Sequence, residues 1–384
     1  MRPRPQVALL IETSNAYSRG LLRGIHNYLN EHQPWSIYLP ERGRGDVPPN
    51  LLQDWQGEGI IARIENARIA KAIQAAGVPT VNVSATDFLP GVPCVETDNA
   101  AIARLVFDHL AQRGFQNFAF CGDQQFRWSR EREQRFAEFA RREGRECSIY
   151  SPQTRRRGKG SWEQEQDRLV AWLRALPKPC GMMSAYDICG WQVLEVCRRT
   201  TIRVPDEIAV VSVDNDELLS NLSDPPLSSV MPDSLRTGYL AAQTLETLMA
   251  GGKVVGTACL LPPTGLVTRE SSDVRATDDA DVALAMRFIR EHACDGIKVA
   301  DVLSALPPLS RRVLEMRFNR VVGHTPHDEI LRLQLQRAQQ LLEQTDLPLR
   351  TVADKAGFKH AEYLSVVFRQ TFGATPGAYR ADRR

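Results

Sequence analysis

Residues 299–326 read VADVLSALPPLSRRVLEMRFNRVVGHTP, and residues 349–376 read LRTVADKAGFKHAEYLSVVFRQTFGATP. At an offset of 50 positions the two share Val302/Val352, Leu314/Leu364, Phe318/Phe368, Gly323/Gly373, Thr325/Thr375 and Pro326/Pro376. Leu303 and Ala353, Leu306 and Ala356, and Val313 and Tyr363 extend the register with similar or apolar types. A repeat of this kind must be one supersecondary unit. Each copy reads as a short helix, a turn and a longer helix closed by Gly and then Thr-Pro. That is the helix-turn-helix shape, which places its second helix in a DNA groove. The repeat predicts a regulator and not an enzyme.

In the second copy the expected first helix is 350–356, the turn Gly357-Phe358 and the recognition helix 361–371. Tyr363, Leu364, Val367 and Phe368 mark its buried stripe by their spacing. His360, Ala361, Glu362, Ser365, Val366 and Arg369 lie off that stripe and are expected to face DNA. In the first copy the helices are expected at 299–306 and 310–321, with Ser310 as N-cap and Arg311, Arg312 and Glu315 pointing outward. Arg reaches guanine bidentately, Glu accepts from cytosine, and Ser contacts phosphate. The alternative, that Arg311 and Arg369 only decorate solvated faces, weakens once two copies of one module are present. Between them, residues 328–344 repeat Ile330, Leu331, Leu333, Leu335, Ala338, Leu341 and Leu342 as a long helix. A rigid helix of that length suits two recognition helices set about one DNA turn, roughly 34 Å, apart.

Upstream, the chain alternates strand and helix. Val7 to Ile11 is a short apolar run suited to a buried parallel strand, and residues 21–29 follow at helical spacing. Residues 59–62 and 78–83 read as strands around a helix at 69–76. A helix at 100–113 leads into a strand at 118–121, and a highly charged helix follows at 130–143. Residues 181–183 and 208–213 complete the strand series, with helical segments at 169–176 and 191–197. Such alternation predicts an α/β fold with right-handed crossovers, whose small-molecule sites lie at the carboxyl ends of its strands. Polar clusters stand at those ends: Asn15-Ala16-Tyr17, Ala185-Tyr186-Asp187 and Asp214-Asn215-Asp216. Residues 270–281 turn polar without periodicity and read as an interdomain linker. Arg155-Arg156-Arg157-Gly158-Lys159-Gly160 reads as a solvated surface turn ahead of a DNA contact.

At 384 residues the chain is long enough for two or three domains. The net charge of +2 is uninformative, but from Asp281 onward there are 16 Lys and Arg against 12 Asp and Glu. A modestly basic tail on a slightly acidic body suits a nucleic-acid-binding end. Eight cysteines lie scattered with no pair at two-residue spacing, which excludes the usual zinc spacings and a secreted disulfide framework. Reduced thiols in a cytoplasmic protein are expected. Arg2 and Arg4 precede an apolar run too short for a signal-peptide core, and no run approaches the ~18 apolar residues of a membrane span. Enzyme signatures are missing: there is no phosphate-cradling glycine loop, no Ser nucleophile between glycines and no metal-spaced His pair. No cofactor and no metal site are expected.

Residues 283–380 resemble the AraC/XylS family. The matching residues are Ala338 with Leu341-Leu342, Ala353 with Gly357-Phe358, and Phe368 with Gly373-Ala374-Thr375-Pro376 and Tyr379-Arg380. Gln334 stands where that family usually has Arg, and Pro307-Pro308 fills the first turn, where Gly is more usual. Residues 6–271 resemble instead the LacI/GalR effector domain and the periplasmic sugar-binding proteins. Here the matches are Thr97-Asp98-Asn99, His109-Leu110, Gly114, Pro205, residues 208–214, Leu227-Ser228-Ser229-Val230, Gly238 through Gly251, Leu261-Pro262-Pro263 and Arg269-Glu270-Ser271. Val7 already starts the first strand, so the LacI-type headpiece is not expected and DNA binding is assigned to the other end.

The resemblance implies a two-lobed, type I periplasmic-binding-protein-like α/β domain over 1–271 and a linker over 272–281. An all-α AraC-type domain with two helix-turn-helix modules is implied over 282–384. It also implies a sugar effector in the cleft between the lobes, held by carboxylates, amides and an Arg, with an aromatic face on the ring. By position the candidates are Asn15, Tyr17, Arg132, Asp187 and Asp214. The family's Arg lies in an Arg-x-x-Gly-Phe pattern, and Arg132 to Phe136 lacks its Gly. Trp128 reads either as a stacking residue or as core, Tyr186 as core or cleft, and Asp98 as a helix N-cap ahead of a ligand contact. Both halves occur together in the bacterial xylose-responsive regulators. Two local matches point there: Arg127-Trp128 with Glu131-Arg132-Glu133, and His292-Ala293-Cys294 with Gly296-Ile297-Lys298-Val299. The resemblance then implies a D-xylose-responsive transcription activator of xylose catabolism genes, dimeric on tandem DNA half-sites and working with RNA polymerase. The same architecture answering to another sugar or sugar acid stays open.

Overall fold

The computed structural model describes residues 4–41, 43, 46, 55–84, 88–151, 162–254, 258–277 and 279–382. The basic segment 155–160 lies outside them. The chain divides into two compact units, Met1–Val274 and Arg275–Arg384.

The first unit opens with β1 (Gln6–Leu10), α1 (Ala16–Glu31), β2 (Ser36–Tyr38), β3 (Gly59–Ala62), α2 (Ala67–Ala76), β4 (Thr80–Asn82) and β5 (Cys94–Thr97). There follow α3 (Asn99–Gln112), β6 (Asn117–Cys121), α4 (Arg127–Arg142), β7 (Cys147–Tyr150), α5 (Trp162–Ala175), β8 (Cys180–Ser184) and α6 (Asp187–Arg199). The unit closes with β9 (Ile208–Val213), α7 (Glu217–Leu222), β10 (Ser228–Met231), α8 (Ser234–Met249), β11 (Ala258–Leu261) and β12 (Gly265–Val267).

These strands build two sheets, in the orders β11-β5-β4-β3-β1-β2 and β12-β10-β9-β8-β6-β7. Every pairing is parallel except that of β10 with β12. The chain passes between the sheets three times: from β5 into α3, from β10 into α8, and from β11 to β12. The result is two lobes joined by three strands of chain, as the α/β reading and the resemblance predict.

Parallel strands are covered on both faces, and residues 180–184 of β8 and 208–213 of β9 are buried throughout. In the first lobe Val7, Leu9, Ile61 and Val81 pack under α1 and α8 with Leu21, Ile25 and Leu245, while Ala8, Leu10, Ile60 and Ile73 fill the opposite face. The two helices cross almost backbone on backbone. A Cβ added at Gly24 would fall 1.9 Å from the Leu235 carbonyl oxygen, and one at Gly238 would fall 2.0 Å from that of Leu21. In the second lobe Phe107, Phe118 and Phe136 meet ring to ring on one face of the sheet. All eight cysteines are free, and four of them are buried. Among the described residues no helix is long and apolar enough to cross a membrane.

The expected linker at 272–281 starts later in the structure. Ser271 donates to the Val210 carbonyl (2.6 Å) and accepts from the Ser228 N–H (2.8 Å), and Ser272 bonds Ser228 Oγ (2.8 Å) and His109 Nε2 (2.9 Å). Hydroxyls that stitch a sheet edge look like loop composition in a sequence, because the partners are far away along the chain.

The second unit is all helical: α9 (Ala280–His292), a 3-10 turn (Ala293–Asp295), α10 (Val299–Ser304), α11 (Arg311–Val322), α12 (Pro326–Gln344), α13 (Leu349–Lys355), α14 (Ala361–Phe372) and α15 (Pro376–Asp382). The repeated residues explain the repeat. Gly323 and Gly373 take φ of +92° and +74° as the caps that end α11 and α14, a conformation that favours glycine. Thr325 then caps α12 in a reciprocal box with Asp328, with Pro326 at its first turn. Leu314 and Phe318, and again Leu364 and Phe368, are fully buried. Tyr363 corrects the expected stripe, for it is 50 % exposed. It sits beside Phe358 with ring centroids 6.1 Å apart, on the shoulder of the helix and not beneath it.

Candidate functional site

A cleft opens between the lobes. Its walls come from the carboxyl ends of strands, where parallel α/β sheets expose their loops. Tyr17 follows β1, Arg63 follows β3, Ser84 follows β4 and Glu96 ends β5, all in the first lobe. Trp128 opens α4 and Arg132 lies one turn on, while Asp214 follows β9, all in the second. Asn99, at the start of α3, lines the cleft where the chain crosses over.

The floor is a buried charge cluster. The Arg63 guanidinium pairs with Glu12 and with Glu65 (2.7 Å), and its side chain is 7 % exposed. Burial alone disfavours so isolated a cation, but the two carboxylates outweigh it and hold the guanidinium firmly charged. Arg63 also lies 5.4 Å from the Tyr17 ring centroid. The Tyr17 hydroxyl accepts from Thr97 Oγ1 (3.3 Å), and burial raises its pKa. On the other wall Arg132 donates from Nε to Asn99 Oδ1 (2.9 Å) and from a terminal nitrogen to the Ala185 carbonyl (2.6 Å). Its guanidinium stacks 5.0 Å from Trp128. The Trp128 indole donates to Glu65 Oε1 (3.3 Å), which ties the aromatic roof of the second lobe to the charged floor of the first. Glu96 is pushed up to about 8 by burial and then by Glu131, with Arg132 opposing. It stands between hydrogen-bond acceptor and donor near neutral pH.

Of the sequence candidates, Tyr17, Trp128, Arg132 and Asp214 come together on this cleft. Asn15 and Asp187 are not among the residues that line it. Asn15 caps α1 by accepting from the Ser18 N–H (2.8 Å), and its amide donates to Glu12 (3.0 Å). Asp187 accepts from the Asp216 N–H (2.6 Å) and from Ser229 Oγ (2.6 Å). It thereby holds the loop whose Asp214 and Asn215 take φ of +112° and +45°. Burial, and then Asp214, raise its pKa. Asp98 is the N-cap of α3, accepting from the Ala101 N–H (2.9 Å). Sequence reasoning missed Arg63, Ser84, Glu96 and Asn99. Three of these stand at strand carboxyl ends, so the strand-end rule applied to every strand, and not only to those followed by conspicuous polar clusters, points to them.

In the second unit α11 and α14 are the helices that the repeat assigns to the second position of each helix-turn-helix copy. Arg311, Arg312, His360, Glu362 and Arg369 are exposed on them. Ser310 caps α11 by accepting from the Val313 N–H (3.4 Å). Glu315 is half-buried and pairs with Arg311 (2.8 Å), and Ser365 Oγ donates back to the Ala361 carbonyl (2.9 Å). Helix α12, 19 residues long and so ~28 Å, runs between the modules. Its buried Gln334 amide donates to the carbonyls of Ala293 (2.8 Å) and Gly357 (3.1 Å).

Residues 6–100 match the XylR N-terminal domain family, residues 107–272 a periplasmic binding protein-like domain and residues 304–382 a helix-turn-helix domain. The xylose operon regulatory protein of Escherichia coli strain K12 is 34 % identical over 98 % of this chain and 97 % of its own length. The chain belongs to the xylose operon regulatory protein family. The Haemophilus influenzae member is 33 % identical over 98 % of each chain. The solved structure of the xylose-binding transcription activator XylR superposes with a TM-score of 0.80 at 33 % identity, covering 99 % of this chain and 98 % of that one. The transcriptional regulator CelR in complex with cellobiose, at 22 % identity and a TM-score of 0.58 over 71 % of this chain and 86 % of that one, shares the fold of the two-lobed unit. As members of this family do, the chain joins a two-lobed sensor to an AraC-type reader of DNA: it is a DNA-binding transcription regulator.

Proposed function

We propose that this protein is a cytoplasmic, non-enzymatic activator of xylose catabolism genes, switched on by D-xylose bound in the cleft between its lobes. The observation that carries the proposal is the composition of that cleft. Carboxylates at Glu96 and Asp214 and guanidinium groups at Arg63 and Arg132 surround it, with the Trp128 ring beside them. Charged partners give sugar hydroxyls strong, directional hydrogen bonds, and an indole covers the apolar face of a pyranose. Tyr17, Trp128, Arg132 and Asp214 are read as direct contacts, joined by Arg63, Glu96 and Asn99. Asn15 and Asp187 are read as supports for the start of α1, which carries Tyr17, and for the loop that carries Asp214. A sugar acid fits less well, since the buried Arg63 is already paired with two carboxylates.

Both lobes contribute to the cleft, so the sugar favours their closure and shifts that equilibrium only as far as it binds the closed form more tightly. Two chains, each with a sensor that runs through Ser272, a joint over the residues that follow it up to 281 and a reader over 282–384, are read as a homodimer. It would lie on tandem half-sites and contact RNA polymerase. Ser310, Arg311, Arg312 and Glu315 in one module and His360, Glu362, Ser365 and Arg369 in the other are read as its DNA contacts. The test is a thermal-shift series on the full chain with D-xylose, L-arabinose, D-ribose, D-glucose and D-xylonate. A ligand that binds only the folded state raises the melting temperature by mass action. Selective stabilisation by D-xylose is expected, and a larger shift with any other member of the series removes the xylose assignment.

A further inference from the structure

The 50-residue repeat sets Met316 and Val366 at equivalent positions of the two recognition helices, and both are exposed, at 63 % and 55 %. Each lies two residues from both members of its helix's fully buried pair, Leu314 and Phe318 or Leu364 and Phe368. At about 100° per residue, that places it on the opposite side of the helix. Each is the centre of an exposed row at spacing four: Arg312, Met316 and Arg320 on α11, and Glu362, Val366 and Gln370 on α14.

One exposed apolar side chain is ordinary on any protein surface. Its recurrence is what needs a cause. The polar flanks have diverged between copies, Arg312 against Glu362 and Arg320 against Gln370, yet the central position has stayed apolar in both. In the major groove an apolar side chain has one complementary group, the C5 methyl of thymine. We infer that Met316 and Val366 read thymine, one in each half of the sequence that a single DNA-binding unit covers, each by packing against that methyl. Polar neighbours such as Arg312, Glu362 and Arg369 are placed for base edges and phosphate on either side. The inference rests on the DNA-binding reading and assigns a base to it.

The test uses the full-length protein with D-xylose. Bound duplexes are selected from a random-sequence library, and the selected sequence is resynthesised with deoxyuridine replacing thymidine one position at a time, which removes only the methyl. Loss of one buried methyl is expected to weaken binding about fourfold at one position in each half-site. Val366→Ala is expected to abolish the sensitivity at one of these positions and Met316→Ala at the other, each leaving its partner's intact. Both residues are exposed, so the variants keep their fold, and Val366→Thr, which retains one of the two γ-methyls that Val366→Ala removes, is expected to keep most of the effect. Indifference to deoxyuridine everywhere, or sensitivity unchanged in both alanine variants, overturns the inference. If no duplex is retained at all, the DNA-binding reading fails, and this inference falls with it.

Discussion

Arg19 and Asp216 form an ion pair 3.0 Å long across the two lobes: Arg19 rides on α1 beside the first sheet, and Asp216 heads α7 after the second. Arg19 lies in the first turn of the helix that follows β1 and Asp216 in the loop that follows β9, so the pair belongs to the arrangement in which the lobes are together. Asp216 is largely buried at 9 % while Arg19 is 43 % exposed, which puts the contribution within ~0.2–1 kcal/mol. Arg19→Ala is therefore expected to weaken effector binding by up to about fivefold without touching the residues that line the cleft. Calorimetric titration with D-xylose checks this, and tighter binding in the variant would show that the pair favours separated lobes instead.

Trp128 carries two duties, a face toward the cleft and an indole N–H on Glu65 (3.3 Å). Trp128→Phe keeps a face and loses the hydrogen bond, whereas Trp128→Ala loses both and opens a void in a 7 % exposed position. D-xylose affinity is expected to fall less than tenfold in the first and well over tenfold in the second. The alanine variant is also expected to lose ~3–5 kcal/mol of stability, measured by chemical denaturation. Equal affinity in wild type and alanine variant would mean that Trp128 is core alone.

Glu96 ties stability to pH with a definite sign. Its carboxyl is raised from 4.5 to about 8 in the folded protein, so between those values the folded state holds a proton that the unfolded state has released. Stability from this group is full below about pH 4.5 and is lost as pH rises toward 8. Glu96→Gln removes the titration. Its melting temperature is expected to fall less than that of wild type between pH 6 and pH 8.5, and a steeper fall in the variant would contradict the assignment.

What could be read from residues alone follows the range of the interactions involved. Helix ends in the second unit depend on local chemistry, Gly323 and Thr325 with Pro326, and were legible to within about two residues. Buried strands announce themselves by apolar runs such as residues 208–213. Arg63 and Glu96 did not, because what makes them candidates is a charge cluster and a cleft assembled from segments far apart in the chain. Ser272 reads as linker for the same reason, since its partners His109 and Ser228 are remote along the chain. Tyr363 fell into the apolar stripe by spacing, and only the packing of Phe358 beside it shows why it lies at the edge.

Gln334 is the joint within the reader unit. Its buried amide is shared by the 3-10 turn at Ala293 and by the helix-turn-helix turn at Gly357, two backbone segments that approach closely. Gly357 takes φ of +81°, and a Cβ there would lie 2.7 Å from the Ala293 oxygen. Removing the amide takes the side-chain donor from the Gly357 carbonyl and one of two donors from the Ala293 carbonyl, which also accepts from the Gly296 N–H (3.4 Å), and a buried carbonyl left unpaired costs ~1–3 kcal/mol. Gln334→Leu, close in volume, is thus expected to destabilise this unit by about 2–4 kcal/mol and to lower DNA affinity, while leaving D-xylose binding by the first unit unchanged. Separate titrations with sugar and with duplex DNA divide the two effects. A variant that loses sugar binding in parallel with DNA binding would show that Gln334 acts on the whole chain and not on the reader alone.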